Sequence, residues 1–401
     1  MMWIPREIEK VLLEFAGKRP AVVLTGCRQA GKTSLLTRIF PDHGYVSLDL
    51  PVVAEEAEFS GQSFLARHPP PIIVDEVQYA PALLRYLKVD IDQHREDFGR
   101  YLITGSQKFP LMEGVTESLA GRASIINLHS LSAREFEAWS GATLERDDLV
   151  RWMFQGGYPE LHRRDLDPER FYGDYVATYL ERDVRSVLNV RSLRDFDRFM
   201  RLCAVRTGQL VSYHSLATDL GLSPNTVKSW LSVLEASNIV VLLEPYFENL
   251  GKRIIKTPKL FFLDTGLCCF LLGARNEGDL AASPHLGSIF ETHVLGQLIR
   301  HFANRGRRPN IYFYRDHQGR EVDFLIPSAG RFSLIECKWS ETPAGRQRGF
   351  AELESLVGPD RILSKTVVSS LRGHRRLPNG VNVSDSIALE FLTREERPLS
   401  D

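Results

Sequence analysis

Eight consecutive residues near the start of the chain have the types and spacing of a phosphate-binding loop. Gly26 to Thr33 reads GCRQAGKT, which matches G-x-x-x-x-G-K-[ST] between the apolar run AVVLT and the segment SLLTRIF. Glycines let backbone N–H groups wrap phosphates at a helix N-terminus, the lysine reaches the β- and γ-phosphates, and the hydroxyl ligates Mg²⁺. We therefore predict a site for ATP and Mg²⁺ formed by Gly26, Arg28, Gln29, Ala30, Gly31, Lys32, Thr33 and Ser34.

An acidic pair at the end of a second apolar run supplies the other half of this chemistry. Asp75 and Glu76 directly follow the apolar residues of PIIV. A carboxylate at the first position holds magnesium through water, and one at the second polarises the attacking water as general base. We predict these roles for Asp75 and Glu76, with Thr33 as the second magnesium ligand.

Three further polar residues are candidates for contact with the γ-phosphate. The run RYLITGSQ predicts a central strand between those of the two motifs, with Ser106 at its tip as the sensor and Thr104 as the alternative. Arg122 precedes the next strand, where ring-forming ATPases place the arginine that completes a neighbour's site. Arg182 is a candidate second sensor in the helical region that follows. Strand capping, an ordinary surface arginine and a local ion pair are the respective alternatives.

A second set of acidic residues lies towards the carboxyl end of the chain. Glu291 falls near the start of a long apolar-periodic segment, Asp323 lies in EVDF, and Glu336 and Lys338 lie in IECK. Alternation along a strand puts Glu336 and Lys338 on one face, with Cys337 turned to the core. We predict that Glu291, Asp323 and Glu336 bind Mg²⁺, with the Cys337 carbonyl completing the shell. Lys338 would orient water or stabilise developing charge, as in a nuclease.

The sequence between these two sites predicts a helix-turn-helix followed by a basic wing. Gly221 turns the chain after one short helix, and Ser223 and Pro224 begin a second. We predict DNA contacts at Asn225, Thr226, Lys228, Lys252, Arg253 and Lys256, and Lys259 belongs to the same basic run. Few cations imply recognition of DNA backbone or shape rather than of base sequence. A packing or subunit interface is the alternative.

The composition is that of a globular protein without an overall charge bias. The 401 residues are 43% apolar and 25% charged, with 50 basic and 51 acidic side chains, so two or three domains are expected. Five scattered cysteines without CxxC spacing favour a reducing compartment over disulfides or zinc. The N-terminus lacks a signal-peptide pattern and no apolar run approaches a membrane span. We therefore expect a cytoplasmic protein that does not bind membranes.

The motifs, taken in order, resemble a family of prokaryotic AAA+ ATPases. GCRQAGKTS, IIVDEVQ, LITGSQ, ESLAGR, LSAREF, GGYPE and YVATYLERDV carry the resemblance, which extends over nearly the whole chain. It implies a P-loop domain, a helical linker, a winged helix and a terminal nuclease-like domain with the PD-(D/E)xK signature. It does not specify a physiological role.

These observations predict an α/β protein in four segments. They are an AAA+ P-loop domain at 1–140, a helical lid at 141–205, a winged helix-turn-helix at 206–265 and a restriction-endonuclease-like α/β domain at 266–401. The expected function is ATP hydrolysis coupled to the remodelling or processing of DNA, in particular branched DNA or DNA in repair or recombination, by a homo-oligomer such as a hexameric ring. The nuclease-like domain then cleaves DNA or serves as a binding platform. An ATP-gated switch that binds protein and a defence-type nuclease are the alternative functions.

Overall fold

A five-stranded parallel sheet carries the phosphate-binding loop. The computed structural model describes residues 3–105, 118–179, 193–246, 255–340 and 347–389. The strands β1 (Ala21–Gly26), β2 (Gly44–Ser47), β3 (Ile72–Asp75), β4 (Tyr101–Gly105) and β5 (Ala123–Leu128) lie in the order β2-β3-β4-β1-β5. The three inner strands, β1, β3 and β4, are buried along their whole length, as the middle of a sheet covered on both faces requires. The predicted central position of β4, between the strands of the two nucleotide motifs, is confirmed.

Helices flank this sheet and bring both nucleotide motifs to its carboxyl edge. They are α1 (Glu9–Ala16), α2 (Lys32–Ile39), α3 (Pro51–Phe59), α4 (Gly61–Arg67), α5 (Leu83–Gln93) and α6 (Ala133–Ser140). The last begins with a capping box, in which Ser132 Oγ accepts from the N–H of Glu135 and the Glu135 carboxylate accepts from the N–H of Ser132. Since parallel strands end at the same edge, Gly26 and Asp75 are neighbours in space although they lie far apart in sequence.

The helical region that follows is built from amphipathic helices. It contains α7 (Arg146–Gln155), α8 (Pro159–Arg164), α9 (Pro168–Tyr179) and α10 (Leu193–Val205). On α10, Phe196 and Phe199 are buried and pack their rings against Trp230 of a later helix. The helical character predicted for this region is therefore present in its described residues.

A small three-stranded sheet and two helices come next. The elements are β6 (Gln209–Leu210), α11 (Tyr213–Leu220), α12 (Pro224–Ala236), β7 (Val240–Leu243) and β8 (Lys259–Phe262), and the antiparallel strand order is β6-β8-β7. Gly221 ends α11 in the left-handed region at φ 67°, and Ser223 Oγ accepts from the N–H of Thr226 to begin α12. The predicted helix, glycine turn and capped second helix are all present.

The last region places a long helix beside a mixed six-stranded sheet. Its helices are α13 (Thr265–Leu272), α14 (Glu277–Ala281), α15 (Leu286–Ala303) and α16 (Arg348–Val357). Its strands are β9 (Tyr312–Arg315), β10 (Glu321–Ser328), β11 (Arg331–Lys338), β12 (Ile362–Ser369), β13 (His374–Arg376) and β14 (Asn382–Asp385), in the order β13-β14-β12-β11-β10-β9. The hairpin β10–β11 pairs Phe324 with Ile335, and this register sets Asp323 opposite Glu336. None of the described helices combines the length and the apolarity needed to cross a bilayer.

The hydrophobic core continues from the first sheet into the last region. One cluster of buried side chains includes Leu24 of β1, Trp152 of α7, Phe199 of α10, Phe261 of β8 and Phe290 of α15. The predicted segments therefore share one core rather than each enclosing a core of its own.

A buried carboxylate lies at the junction of these regions. Asp264 caps α13, and its two oxygens accept hydrogen bonds from the hydroxyls of Ser130 and Tyr172 and from the N–H groups of Gly157, Gly266 and Leu267. Arg300 of α15 donates to both the hydroxyl and the carbonyl of Ser130, at 2.6 and 2.9 Å. Ser130 thus links Asp264 to Arg300.

The paired glycines of the GGYPE motif allow this junction to close. A Cβ at Gly156, where φ is 74°, would lie 2.2 Å from Asp264 Oδ1. A Cβ at Gly157 would lie 2.5 Å from the carbonyl oxygen of Leu131. Both distances are shorter than van der Waals contact allows, so neither position accepts a side chain unless the backbone moves.

We expect Asp264→Ala to lower the free energy of unfolding by about 3–5 kcal/mol, because its buried donors lose their acceptor. Urea unfolding of the full chain measures this change. Asp148→Ala is the matched control, since the Asp148 side chain is 47% exposed, and it is expected to change stability by no more than about 0.5 kcal/mol. Equal unfolding midpoints for the two variants would contradict a structural role for Asp264.

Candidate functional site

The phosphate-binding loop has three residues with positive φ, two of which are glycines. Gly26 has φ 147°, and a Cβ there would lie 2.0 Å from the carbonyl oxygen of Leu128 on β5. Gly31 has φ 91° and caps α2, so the first N–H groups of that helix face the loop. Gln29 is also left-handed, at φ 59°. The loop is therefore shaped to present N–H groups to an anion.

Lys32 is buried inside this loop. Its Nζ donates to the carbonyl oxygens of Gly26 and Cys27, at 3.1 and 3.0 Å. Burial lowers the pKa of Lys32, while the nearby carboxylates of Glu76 and Asp75 oppose that shift. The ammonium is thus held at the centre of the loop, where phosphate oxygens are its natural partners.

The predicted magnesium ligands lie in direct contact. Thr33 Oγ1 donates to Asp75 Oδ2 at 2.9 Å, which joins the start of α2 to the end of β3. The Asp75 carboxylate also accepts from Tyr45 Oη at 3.0 Å and from Thr104 Oγ1. Burial and the neighbouring Asp75 raise the pKa of Tyr45 to about 12, so Tyr45 remains a neutral donor. A hydroxyl and a carboxylate beside the phosphate loop form a donor set that fits Mg²⁺.

Glu76 is positioned by its backbone as well as by its partners. Its φ of 57° and ψ of 46° are left-handed, a conformation that costs a residue other than glycine about 1–2 kcal/mol. Its N–H donates to Thr104 Oγ1 at 3.2 Å, and its carboxylate accepts from Gln78 Nε2. Thr104 therefore bridges both acidic residues, and its role as the alternative sensor stays a prediction. Ser106, the first choice, lies outside the described residues.

Glu76 and the loop open onto a cleft of about 260 Å³. Its walls are Arg28, Gln29, Gly31, Lys32, Thr33, Ser34, Glu76, Tyr175 and Thr178. Tyr175 and Thr178 come from α9, so the helical region covers the loop as a lid. Sequence reasoning did not select these two residues, although both lie in or beside the motif YVATYLERDV. Arg182 lies outside the described residues.

Arg6 is a further residue that sequence reasoning missed. It is buried, and its guanidinium donates to the carbonyl oxygens of Ala30 and His129 at 3.0 and 2.7 Å and pairs with Glu135 at 3.1 Å. Arg6 therefore joins the phosphate loop, at Ala30, to the segment after β5 and to α6. No local pattern marks Arg6, because its partners lie far along the chain.

Arg122 lies at the amino end of β5, at the edge of the sheet opposite the phosphate loop, because Ala123 pairs with Ala21 and Leu128 with Gly26. Its Nε and Nη2 contact the two oxygens of Asp92 at 2.7 and 2.8 Å. This guanidinium is held within its own chain, so an action on a neighbouring subunit would require it to exchange Asp92 for a new partner. That role stays a prediction.

The acidic residues of the last region converge only in part as predicted. Glu291, Glu321 and Asp323 each place a carboxylate oxygen within 4.8 Å of the others, and we call these three the acidic cluster. Glu321 was missed, and Glu336 instead pairs with Lys338 at 2.7 Å. That pair confirms that Glu336 and Lys338 share a face of β11. Cys337 reaches the cluster through its N–H, which donates to Asp323 Oδ2 at 2.7 Å.

A lysine lies among these carboxylates. Lys259 Nζ is 3.0 Å from Glu291 Oε1 and also contacts Glu321 Oε1. Grouping Lys259 with the basic wing was therefore wrong: its side chain is 3% exposed and points into the protein. Burial opposes its charge, but Glu291, Glu321 and Asp323 outweigh that effect and raise its pKa. An ammonium among the carboxylates does not fit a divalent metal bound by the same oxygens.

The residues predicted to contact DNA are described in part. Asn225 and Lys228 are exposed on α12, whereas Thr226 is half-buried and its hydroxyl lies 2.8 Å from Ser223 Oγ. Lys256 is exposed before β8. Lys252 and Arg253 lie outside the described residues.

Comparisons with known proteins identify the family of the region that carries the phosphate-binding loop. Residues 18–137 match a family model described as an AAA domain. Residues 146–278 and 286–383 match two models described as domains of unknown function, DUF8612 and DUF4143. The predicted P-loop ATPase domain of the AAA type is thereby confirmed.

Two mycobacterial proteins resemble most of the chain. The uncharacterised proteins Rv2008c of Mycobacterium tuberculosis and Mb2031c of Mycobacterium bovis are each 33% identical to it over 337 residues, which is 82% of this chain and 72% of each relative. The chain belongs to their family. This AAA-type ATPase is also similar to a solved structure, the Walker-type ATPase PABY2304 of Pyrococcus abyssi. The TM-score is 0.46 and the identity 16%, over 67% of this chain and 96% of that one, which is too little to assign an activity.

We expect Thr104→Val to lower the rate of ATP hydrolysis by about 10- to 100-fold while nucleotide affinity is retained. The substitution removes the hydroxyl that contacts both Asp75 and Glu76 but leaves the phosphate loop intact. Phosphate release and the binding of a fluorescent ATP analogue measure the two quantities. Thr37→Val is the control, because its hydroxyl bonds only to α2 carbonyls. Equal turnover in both variants would exclude the positioning role.

Proposed function

We propose that the protein binds and hydrolyses ATP with Mg²⁺ and uses the cycle to act on DNA, in particular on branched DNA or DNA in repair or recombination. The observation that carries the ATP part is the contact between Thr33 and Asp75, 2.9 Å apart, beside a buried Lys32 and a cleft of about 260 Å³. A loop, a hydroxyl and a carboxylate joined in this way are the parts that hold a nucleoside triphosphate and its metal.

The chain's own residues divide the chemistry among them. Bound Mg²⁺ would neutralise phosphate charge, held by Thr33 and Asp75. Lys32 binds the terminal phosphates, and Glu76, whose carboxylate is oriented by Gln78, accepts the proton of the attacking water. Tyr175 and Thr178 on α9 limit the access of solvent to the cleft.

A short path joins this cleft to the rest of the molecule. Tyr175 lines the cleft, and Tyr172, one turn earlier on α9, donates to Asp264 at 2.8 Å. Asp264 lies two residues after the end of β8 and caps α13. A shift of α9 between nucleotide states would therefore reach the small sheet that carries α11 and α12. This coupling is the basis on which we propose that hydrolysis is used to move or load a partner.

DNA is the partner we favour. Asn225 and Lys228 are exposed on α12, behind a tight turn that suits a helix set against a nucleic-acid backbone. Lys256 is exposed near the same sheet. Assembly into a ring would place Arg122 at a neighbour's nucleotide after it exchanges Asp92 for phosphate.

A second candidate function is an ATP-gated switch that binds protein. The observation that favours it is the charge of α12, which carries one lysine and one glutamate and so has no net positive charge. A metal-dependent defence nuclease is less favoured, because Lys259 lies among the carboxylates it would need.

DNA-stimulated ATP hydrolysis separates the two candidates. We expect wild-type turnover to rise on addition of four-way-junction DNA and the stimulated activity to disappear in Lys32→Ala. Slow turnover that is indifferent to single-stranded, duplex and junction DNA would instead favour the protein-binding switch.

We expect Lys228→Ala to weaken DNA binding and to reduce the slope of log affinity against log salt by about 1, because one phosphate contact is lost. Fluorescence anisotropy over a salt series measures both. Lys18→Ala is the control, since Lys18 is exposed in the turn after α1 and pairs with Glu14. An unchanged salt slope in Lys228→Ala would remove α12 from the DNA interface.

A further inference from the structure

We infer that Lys259 is the resident cation of the acidic cluster and closes it to divalent metal. The last region therefore has the acidic residues of a metal-dependent nuclease but uses them to bind a side chain of the small sheet. This inference does not depend on the proposed action on DNA.

The first observation is the position of the ammonium. Lys259 Nζ contacts Glu291 of α15 and Glu321 of β10, and these two carboxylates together with Asp323 form the acidic cluster. The ammonium also lies 5.5 Å from the ring centre of Phe313 and 5.8 Å from that of Phe261. Carboxylates on one side and aromatic faces on the other are a complete set of partners for a buried cation.

The second observation is the balance of charge. Two of the three carboxylate charges are neutralised by Lys259 and by Arg315, whose Nη1 lies 2.7 Å from Glu321 Oε2. A divalent ion ligated by these oxygens would add two positive charges beside an ammonium that already contacts two of them. Mg²⁺ also requires oxygen ligands at about 2.1 Å in octahedral geometry. Bringing the carboxylates to that distance would expel the lysine.

The third observation is that the lysine cannot leave easily. Its backbone belongs to β8, which pairs with β6 through Leu210 and with β7 through Leu243. The three residues after it, 260–262, are buried. A long side chain on a central strand has little freedom to withdraw, in contrast to one on a loop.

The fourth observation is that the chain just beyond β7 is also joined to the last region. The N–H of Tyr246 donates to the carbonyl of Phe313 at 2.8 Å, and the N–H of Phe313 donates to the carbonyl of Glu244 at 3.2 Å. Before β8, the N–H of Ile255 donates to the carbonyl of Arg315 at 3.1 Å. The chain after β7 and the chain before β8 are thus both hydrogen-bonded to β9, and these contacts hold the small sheet beside the cluster.

The test measures Mn²⁺ binding to the full chain without nucleotide, by electron paramagnetic resonance titration. Asp323→Asn removes a carboxylate of the acidic cluster. The difference in bound Mn²⁺ between a protein and its Asp323→Asn variant therefore counts the ions held by the cluster and excludes those bound elsewhere. We expect wild type and Asp323→Asn to bind Mn²⁺ equally. In Lys259→Met we expect a new Mn²⁺ site at the cluster, with an affinity at least about tenfold above that of wild type at the same place. We expect this site to disappear in the double variant Lys259→Met/Asp323→Asn.

Lys365→Met is the matched control, since Lys365 pairs with Glu354 in a partly exposed position on β12 and its loss opens no acidic cluster. A wild-type ion that Asp323→Asn removes would overturn the inference, as would a folded Lys259→Met protein that gains none. If Lys259→Met does not fold, Mn²⁺ binding by wild type and by Asp323→Asn still tests the inference. A cluster occupied by Lys259 predicts the same Mn²⁺ binding in both proteins.

Discussion

The structure depends on one buried carboxylate. Asp264 lies where four regions meet, and its oxygens take hydrogen bonds from the first sheet through Ser130, from the lid through Gly157 and Tyr172, and from its own helix. Burying a carboxylate is costly unless donors replace its water, so the regions must adopt the relative positions that supply those donors. Arg300, bonded to the same serine, brings the last region into this arrangement.

The nucleotide site and the acidic cluster both contain carboxylates removed from water, but the partners that stabilise these carboxylates differ. At the nucleotide site, Asp75 is satisfied by the hydroxyls of Thr33, Tyr45 and Thr104, which are neutral and leave its charge available to a cation. At the acidic cluster, an ammonium and a guanidinium group already neutralise two of the three carboxylate charges. The first arrangement is open to a ligand, and the second is a permanent contact between regions. Acidic residues alone do not distinguish these outcomes; the partners that surround them do.

The parts of the fold that local sequence determines were predicted correctly. The loop GCRQAGKT, the pair Asp75–Glu76 and the glycine turn at Gly221 each depend on neighbours within a few residues, so their chemistry can be read directly. The contacts that were missed are long-range. Glu321 and Lys259 are separated by three helices and one strand, and Lys259 sits in a basic run that is usually exposed. Arg6 meets Ala30, His129 and Glu135, and nothing in the sequence around it indicates that it is buried. Spacing shows which residues can do chemistry, whereas the tertiary fold decides what each one faces.

The amino-terminal segment connects the last region to the phosphate loop. Asn304, at the end of α15, donates to Glu7 at 3.2 Å, and the adjacent Arg6 holds the carbonyl of Ala30. Gly306 is packed so closely against α1 that a Cβ there would lie 2.8 Å from Val11. The amino-terminal segment thus lies between the phosphate loop and the last region and contacts both. A fragment limited to residues 18–137, the part that matches the AAA domain, would keep every nucleotide motif, yet it would lose Arg6 and its hydrogen bond to the phosphate loop.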